Sequence, residues 1–191
     1  RTSLTDNGEL QSLVHGVIQL EQYAPPYGSE RRRLRIVKLR GVKYRGGYHD
    51  FNIEHGGLRV FPRMTTNQTQ RKCDGKMLSS GLPDLDALLG GGANFGASTL
   101  LLGPAGTGKS TVASQFAYAA ASHGNKVAIF TFDESKHSIF KRSVAFGIDL
   151  ESLVAKNIVS ITEIEPTNAS PGEFFFQVIQ AVEQQEAKVI L

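Results

Sequence analysis

The sequence contains a single cysteine, Cys73, among its 191 residues. One cysteine cannot form an intrachain disulfide or a cysteine-based zinc cluster, and it gives no sign of an oxidising compartment. No apolar run approaches the roughly 18 residues that a membrane-spanning helix needs, and no charged segment followed by an apolar one opens the sequence. We therefore expect a cytoplasmic protein that does not contact a membrane.

Hydrophobic residues make up 40% of the chain, which is enough for one large domain or two small ones with a packed core. The charge is distributed unevenly along the sequence. Residues 1–72 hold 13 Lys and Arg against 6 Asp and Glu, whereas residues 73–191 hold 8 against 12. Such an asymmetry is typical of chains that bind nucleic acid, an acidic partner or another copy of themselves.

The amino-terminal part has the alternating pattern of β-strands. Strands are predicted at 14–20 and 33–40, followed by a hairpin with arms at 51–54 and 58–61 and a turn at 55–57. Residues 63–75 are polar and have no periodicity, which indicates a linker. We therefore predict a β-rich part at 1–62, a linker at 63–75 and a second domain at 76–191.

From residue 76 onward, predicted strands alternate with predicted helices. The strands fall at 98–102, 127–132, 158–162 and 188–191, and the helices at 83–89, 109–122, 136–146 and 150–155, with a further one that opens at a Ser170–Glu173 capping box. This alternation predicts an α/β fold in which a parallel sheet is flanked by helices. Ligands of such folds bind at the carboxyl ends of the strands.

A G-x-x-x-x-G-K-S motif lies between a predicted strand and a predicted helix, which is the context of a P-loop. Its glycines let backbone N–H groups surround a phosphate, while the lysine reaches the β- and γ-phosphates and the serine hydroxyl binds Mg²⁺. The predicted phosphate-binding residues are Gly103, Pro104, Ala105, Gly106, Thr107, Gly108, Lys109, Ser110 and Thr111, with Ser110 as the metal ligand.

Two further groups carry charges that phosphoryl transfer requires. Asp133 and Glu134 follow the strand after the P-loop helix, so they either orient or deprotonate the attacking water, or Asp133 only caps the next helix. Lys38 and Arg40 project from one face of a strand. Their charges either reach a phosphate or belong to a solvated strand face next to other arginines.

Several of these motifs together resemble the KaiC-like ATPases of the RecA superfamily. The likeness covers nearly the whole chain from about Val14 and spans the end of a first ATPase domain and the start of a second. The matching stretches are Arg32–Gly41 and Gly57–Pro62 upstream, then Ser80–Asp86 with Leu89–Gly92, the P-loop, Phe130–Ser135 and Phe146–Leu150.

The resemblance implies a ring-forming ATPase, usually a hexamer, that binds ATP and Mg²⁺ between subunits. By it, Lys38, Leu39 and Arg40 contact the γ-phosphate of a neighbouring subunit's nucleotide, and Asp133 and Glu134 are the catalytic carboxylates. Phe146 matches an aromatic residue beside the adenine. The resemblance also implies regulatory protein partners, and it leaves open an autokinase, signalling or circadian timing role.

The acidic residue of the Walker B strand would lie just after Leu191, so we expect the chain to be a segment of a longer ATPase. We expect weak nucleotide binding and little turnover from the segment alone. Two alternatives remain open. One is a DNA-dependent recombinase or helicase, which the basic amino-terminal part favours. The DNA-binding loops of such enzymes follow the Walker B strand, however, so we do not expect DNA as a partner. The other alternative is a non-catalytic module that interacts in a nucleotide-dependent way.

Overall fold

The computed structural model describes residues 8–26, 28–64 and 75–191, and the chain divides into two units. The first unit comprises residues 1–65 with 166–177, and the second comprises 66–165 with 178–191. Most of the segment predicted as a linker, 65–74 of 63–75, lies outside the described residues.

The elements of the described chain follow one another in this order: α1 (Gly8–Leu13), β1 (Gly16–Tyr23), β2 (Arg31–Leu39), β3 (His49–Glu54), β4 (Gly57–Phe61), β5 (Met77–Leu78), α2 (Pro83–Leu88), β6 (Ala93–Asn94), α3 (Lys109–Ser122), β7 (Val127–Thr131), α4 (Lys136–Ala145), α5 (Leu150–Ala155), β8 (Val159–Glu163), α6 (Pro171–Glu183) and β9 (Val189–Ile190). No helix among them is long and apolar enough to cross a membrane.

The first unit contains an antiparallel sheet of four strands in the order β1-β2-β3-β4. The predicted hairpin is confirmed, because β3 and β4 pair across a tight turn at His55 and Gly56. Gly56 has a φ of +99°, a left-handed conformation that glycine adopts without steric cost. The turn therefore matches the sequence signal that predicted it.

One face of this sheet carries a polar network instead of an apolar core. Glu21 on β1 accepts hydrogen bonds from Arg33 Nε at 2.9 Å and from Tyr48 Oη at 2.9 Å. These bonds lower the pKa of the Glu21 carboxyl, and the bond from Tyr48 has the largest effect. The guanidinium of Arg33 also stacks over the Tyr48 ring at 4.0 Å. Part of the basic character of β2 is thus neutralised inside the sheet.

The second unit contains the parallel sheet that the sequence predicts, with strand order β8-β7-β9. Helices flank it and pack against its apolar residues, so the unit has the α/β fold that the sequence predicts. Its core is a cluster of alanine and branched aliphatic side chains: Ala117, Ala120 and Ala121 of α3, Val127 and Ile129 of β7, Ile139, Ile148, Leu150, Val159, Ile161 and Val189.

The prediction of a strand at 98–102 is wrong, because these residues join none of the sheets in the described part of the chain. A strand requires a neighbouring backbone to complete its hydrogen bonds. The adjacent edge of the sheet is β9, which has only two residues. Leu100 and Leu102 are accordingly 78% and 82% exposed.

One helix and one pair of strands were not predicted. They are the short helix α1 and the two-residue ladder between β5 and β6, in which Met77 pairs with Asn94 and Leu78 with Ala93. Neither has enough residues to show a period in the sequence.

Candidate functional site

The P-loop motif leads into α3, and its last two residues, Lys109 and Ser110, are the first two of that helix. Gly106 and Gly108 have φ values of +81° and +86°, and Gly108 is the N-cap of the helix. A side chain would strain the backbone at both positions, so the two glycines are required by the turn itself. The loop leads into a helix of 14 residues, whose N-terminal end favours an anion.

Lys109 folds back over the loop that precedes it. Its ammonium donates hydrogen bonds to the backbone oxygens of Gly103 at 2.8 Å and Pro104 at 2.7 Å. Thr107 Oγ1 also donates to Pro104 O, at 2.9 Å. The charged end of Lys109 is therefore held above the loop by acceptors that a bound phosphate can replace.

A cavity of about 340 Å³ brings Ser110 together with the acidic pair Asp133 and Glu134. Ser110 enters it from the first turn of α3, and the two carboxylates enter from the carboxyl end of β7. The remaining P-loop residues are not among those that line this cavity. The arrangement places a hydroxyl that can bind a metal ion and two general-base candidates around one solvent-filled space.

The turn that carries the acidic pair is fixed by its own hydrogen bonds. Thr131 Oγ1 donates to Glu134 O at 2.8 Å and accepts from Glu134 N at 3.2 Å. The N-cap of α4 is Ser135, whose side chain accepts from Ser138 N. The alternative in which Asp133 merely caps this helix is therefore wrong, and Asp133 is exposed.

Arg142 is a member of the site that the sequence analysis missed. It lies on α4, and its guanidinium forms an ion pair and hydrogen bond with the Glu134 carboxylate inside the cavity. The two residues are eight positions apart, and Glu134 lies outside helix α4, so no helical period predicts their contact. The helical spacing places Arg142 beside the buried Ile139, three residues earlier, but it does not identify Glu134 as the partner.

Phe146 is not part of this cavity. It follows the last residue of α4 as the C-cap, and 61% of its surface is exposed. An exposed aromatic side chain at this place is free to contact a flat ligand, but no contact in the structure assigns it that role.

Lys38, Leu39 and Arg40 belong to the first unit, at the end of β2 and just beyond it. The Lys38 ammonium donates to Gln11 O at 2.7 Å and Ser12 O at 3.0 Å, and Arg40 Nη2 donates to Ser12 O at 2.8 Å. Desolvation, followed by the charge of Arg40, lowers the pKa of Lys38. Both cations bind the last carbonyls of α1, an interaction that the helix dipole favours.

A dedicated metal cluster is absent from the part of the chain that the structure describes, where no three His, Cys, Asp or Glu side chains converge. The donor set of the cavity instead fits a metal that arrives with a nucleotide. Mg²⁺ prefers oxygen ligands and is commonly held by one or two protein groups plus phosphate oxygens. Ser110 and the neighbouring carboxylates supply such oxygens.

Comparison with known families shows which proteins this sequence resembles. The family model described as "ATPase: KaiC" matches residues 78–190, which include the P-loop, the acidic pair and Arg142. The chain belongs to the KaiC ATPase family. The amino-terminal resemblance and the α/β fold agree with this assignment.

Curated relatives share about a third of their aligned residues with the chain. It is 32% identical over 152 residues to the circadian clock oscillator protein KaiC of Acaryochloris marina, covering 79% of this chain and 29% of that protein. The KaiC proteins of Synechococcus elongatus and a Nostoc species are each 32% identical, over 74% and 70% of this chain and 27% and 26% of theirs. The chain thus matches less than a third of the length of these relatives.

Proposed function

We propose that this chain binds ATP with Mg²⁺ and forms part of a KaiC-like ring ATPase. The observation that carries the proposal is the cavity in which Ser110 of the P-loop helix meets the carboxylates of Asp133 and Glu134. A phosphate cradle, a hydroxyl for the metal and a base for the attacking water are three of the parts that phosphoryl transfer needs.

Each residue has a distinct part in the proposed chemistry. The loop amides and Lys109 hold the phosphates, exchanging the present bonds of Lys109 to loop carbonyls for bonds to phosphate oxygens. Mg²⁺, when bound, would supply positive charge at the β- and γ-phosphates. Ser110 is the ligand for it. Asp133 and Glu134 orient or accept a proton from the water that attacks the γ-phosphate.

We further propose that Lys38, Leu39 and Arg40 act on the nucleotide of a neighbouring copy in a ring. The support is the amino-terminal resemblance to KaiC-like ATPases, together with the closeness of the two cations, which both donate to Ser12 O. Regulatory protein partners are part of the same proposal, as is an autokinase, signalling or circadian timing role.

Dependence of ATP affinity on Mg²⁺ tests the metal-binding part of this function. Titrations with and without Mg²⁺ are expected to show tighter binding with the metal, and Ser110→Ala is expected to reduce that gain because the hydroxyl ligand is lost. Ser122→Ala, at the exposed end of the same helix, is the matched control and keeps the full gain. An undiminished gain in Ser110→Ala would contradict the assignment of Ser110.

A further inference from the structure

The position of Arg142 in α4 is set by the packing of that helix. Ile139 and Ser143 are 4% and 1% exposed, and Arg142, which follows Ile139 by three residues and so lies beside it on the helix surface, is half-buried. Its side chain is 27% exposed, and its Nε atom is buried without a hydrogen-bond partner. A guanidinium that is partly removed from water loses hydration, and a nearby carboxylate can compensate its charge.

The compensating carboxylate is Glu134, whose side chain is 29% exposed. Arg142 Nη1 contacts Glu134 Oε1, and both residues line the cavity that also contains Ser110 and Asp133. Because both partners are shielded from bulk water, the attraction between them is screened less than that of a surface pair. The guanidinium therefore offsets one of the two negative charges in the cavity.

This compensation matters for a phosphate ligand because of the charge that the ligand adds. Two uncompensated carboxylates would repel the γ-phosphate, which enters on the side of the P-loop where Ser110 lies. The repulsion would be smaller for a diphosphate, whose last phosphate lies further from the pair. An uncompensated charge on Glu134 would therefore disfavour the triphosphate more than the diphosphate, and the positive charge of Arg142 would reduce that difference.

We propose that Arg142 is a specificity-determining residue, which lets the cavity accept a nucleoside triphosphate by neutralising Glu134. The inference rests on the proposed nucleotide site and assigns it a new component. Arg142 acts through Glu134 and is a positioning residue, since its contact in the structure is to the carboxylate and not to a ligand. Removal of the guanidinium should then weaken ATP binding more than ADP binding.

The test is the ratio of the dissociation constants for ATP and ADP, measured by titration of the chain and its variants in one buffer. Arg142→Met is expected to raise this ratio about fivefold, the effect of one uncompensated charge near the γ-phosphate at partial screening. Arg142→Lys keeps the positive charge, and its ratio is expected to stay within about twofold of that of the unsubstituted (parent) chain. Lys141→Met, at the exposed neighbouring position of α4, is the matched control and leaves the ratio unchanged.

A double-substitution cycle with Glu134 separates this account from a structural role. Glu134→Gln is expected to lower the ratio, and the double variant Glu134→Gln with Arg142→Met should return it to within about twofold of the parent. If Arg142→Met fails to fold, the opposite shift in Glu134→Gln and the retained ratio in Arg142→Lys decide the question. Equal weakening of ATP and ADP in Arg142→Met, or no return in the double variant, would overturn the inference.

The same titrations distinguish the two levels of proposal. If the parent chain binds neither nucleotide, the proposed function is wrong and the inference falls with it. If the parent binds both nucleotides and the ratio in Arg142→Met is unaltered, only the role of Arg142 is refuted.

Discussion

Asp86 shows how a single carboxylate holds the loop that leads into α2. It accepts hydrogen bonds from Ser79 Oγ at 2.5 Å and Ser80 N at 2.8 Å. These bonds lower the pKa of the Asp86 carboxyl, and the bond from Ser79 has the largest effect. Because Ser80 O in turn accepts from Gln115 Nε2 of α3 at 2.9 Å, the loop is tied to the P-loop helix.

The lowered pKa of Asp86 gives a pH dependence with a defined sign. The carboxylate stabilises the folded state fully above its unfolded pKa of about 3.9, and this stabilisation is lost as the pH falls through the lower folded value. We expect Asp86→Asn to lower the urea midpoint at pH 7 and the difference from the parent to shrink below about pH 4. A difference that stays constant down to pH 3 would show that the hydrogen bonds do not favour the ionised form.

The sequence predicts a residue of the candidate site only where the residue's position next to a strand or within a motif determines where it lies. Asp133 and Glu134 were singled out because they follow a strand, and Ser110 because it ends a motif. The pairing of Arg142 with Glu134 depends on how α4 packs, which no local pattern encodes. The roles of all these residues stay predictions until they are measured.

Helix α6 illustrates how an element begins at a sequence signal and is completed by distant residues. Ser170 Oγ accepts from Glu173 N at 3.1 Å, as in the predicted capping box. The Glu173 carboxylate instead accepts from Asn52 Nδ2 at 3.4 Å, and Asp50 Oδ2 accepts from Gly172 N at 3.0 Å. The first turn therefore has one cap from its own segment and one from β3.

Removal of the local cap has a predictable cost. Ser170 is 7% exposed, and Ser170→Ala is expected to lower the free energy of unfolding by about 1 kcal/mol, the usual cost of losing a serine N-cap. Urea unfolding followed by circular dichroism measures it. Ser122→Ala, at the exposed C-terminal end of α3, should cost less than half as much. Equal losses in the two variants would show that the Ser170 cap adds nothing at this position.

Elements with a long or strongly periodic pattern were predicted well, and the exceptions have a physical cause. Helix α3 has the predicted bounds, β7 ends one residue earlier than predicted, and β8 begins and ends one residue later than predicted. The strand expected at 98–102 depends on pairing with another strand, which residue pattern alone cannot guarantee. A run of leucines indicates burial in a sheet only if the sheet has an edge long enough to receive it.

The whole molecule combines a basic amino-terminal part with an acidic remainder. In the structure, several of the basic side chains in the amino-terminal part have hydrogen-bond or ion-pair partners. Arg33 pairs with Glu21 at 2.8 Å, Arg35 Nε donates to Gln19 at 2.8 Å, and Lys38 donates to backbone carbonyls. Cations with partners inside their own unit are less available to a nucleic acid backbone. This weakens the support for the DNA-dependent alternative.

The division into two units could not be read from the sequence in full. Residues 166–177 group with the amino-terminal strands, although more than a hundred residues separate them along the chain. The contacts responsible include Phe61 against Phe176, with ring centroids 5.7 Å apart. Such long-range packing leaves no mark in composition or period, whereas the change from β-strands to alternating strands and helices does.

The central claim is that the loop Gly103–Ser110 holds the phosphates of a nucleotide. The most direct measurement is calorimetric titration of the chain and of Lys109→Ala with ATP and Mg²⁺, with Lys141→Ala as the control for loss of one positive charge. We expect the dissociation constant of Lys109→Ala to be at least about tenfold higher than that of the parent, while Lys141→Ala binds as the parent does. Equal affinity of Lys109→Ala and the parent for ATP would contradict the account.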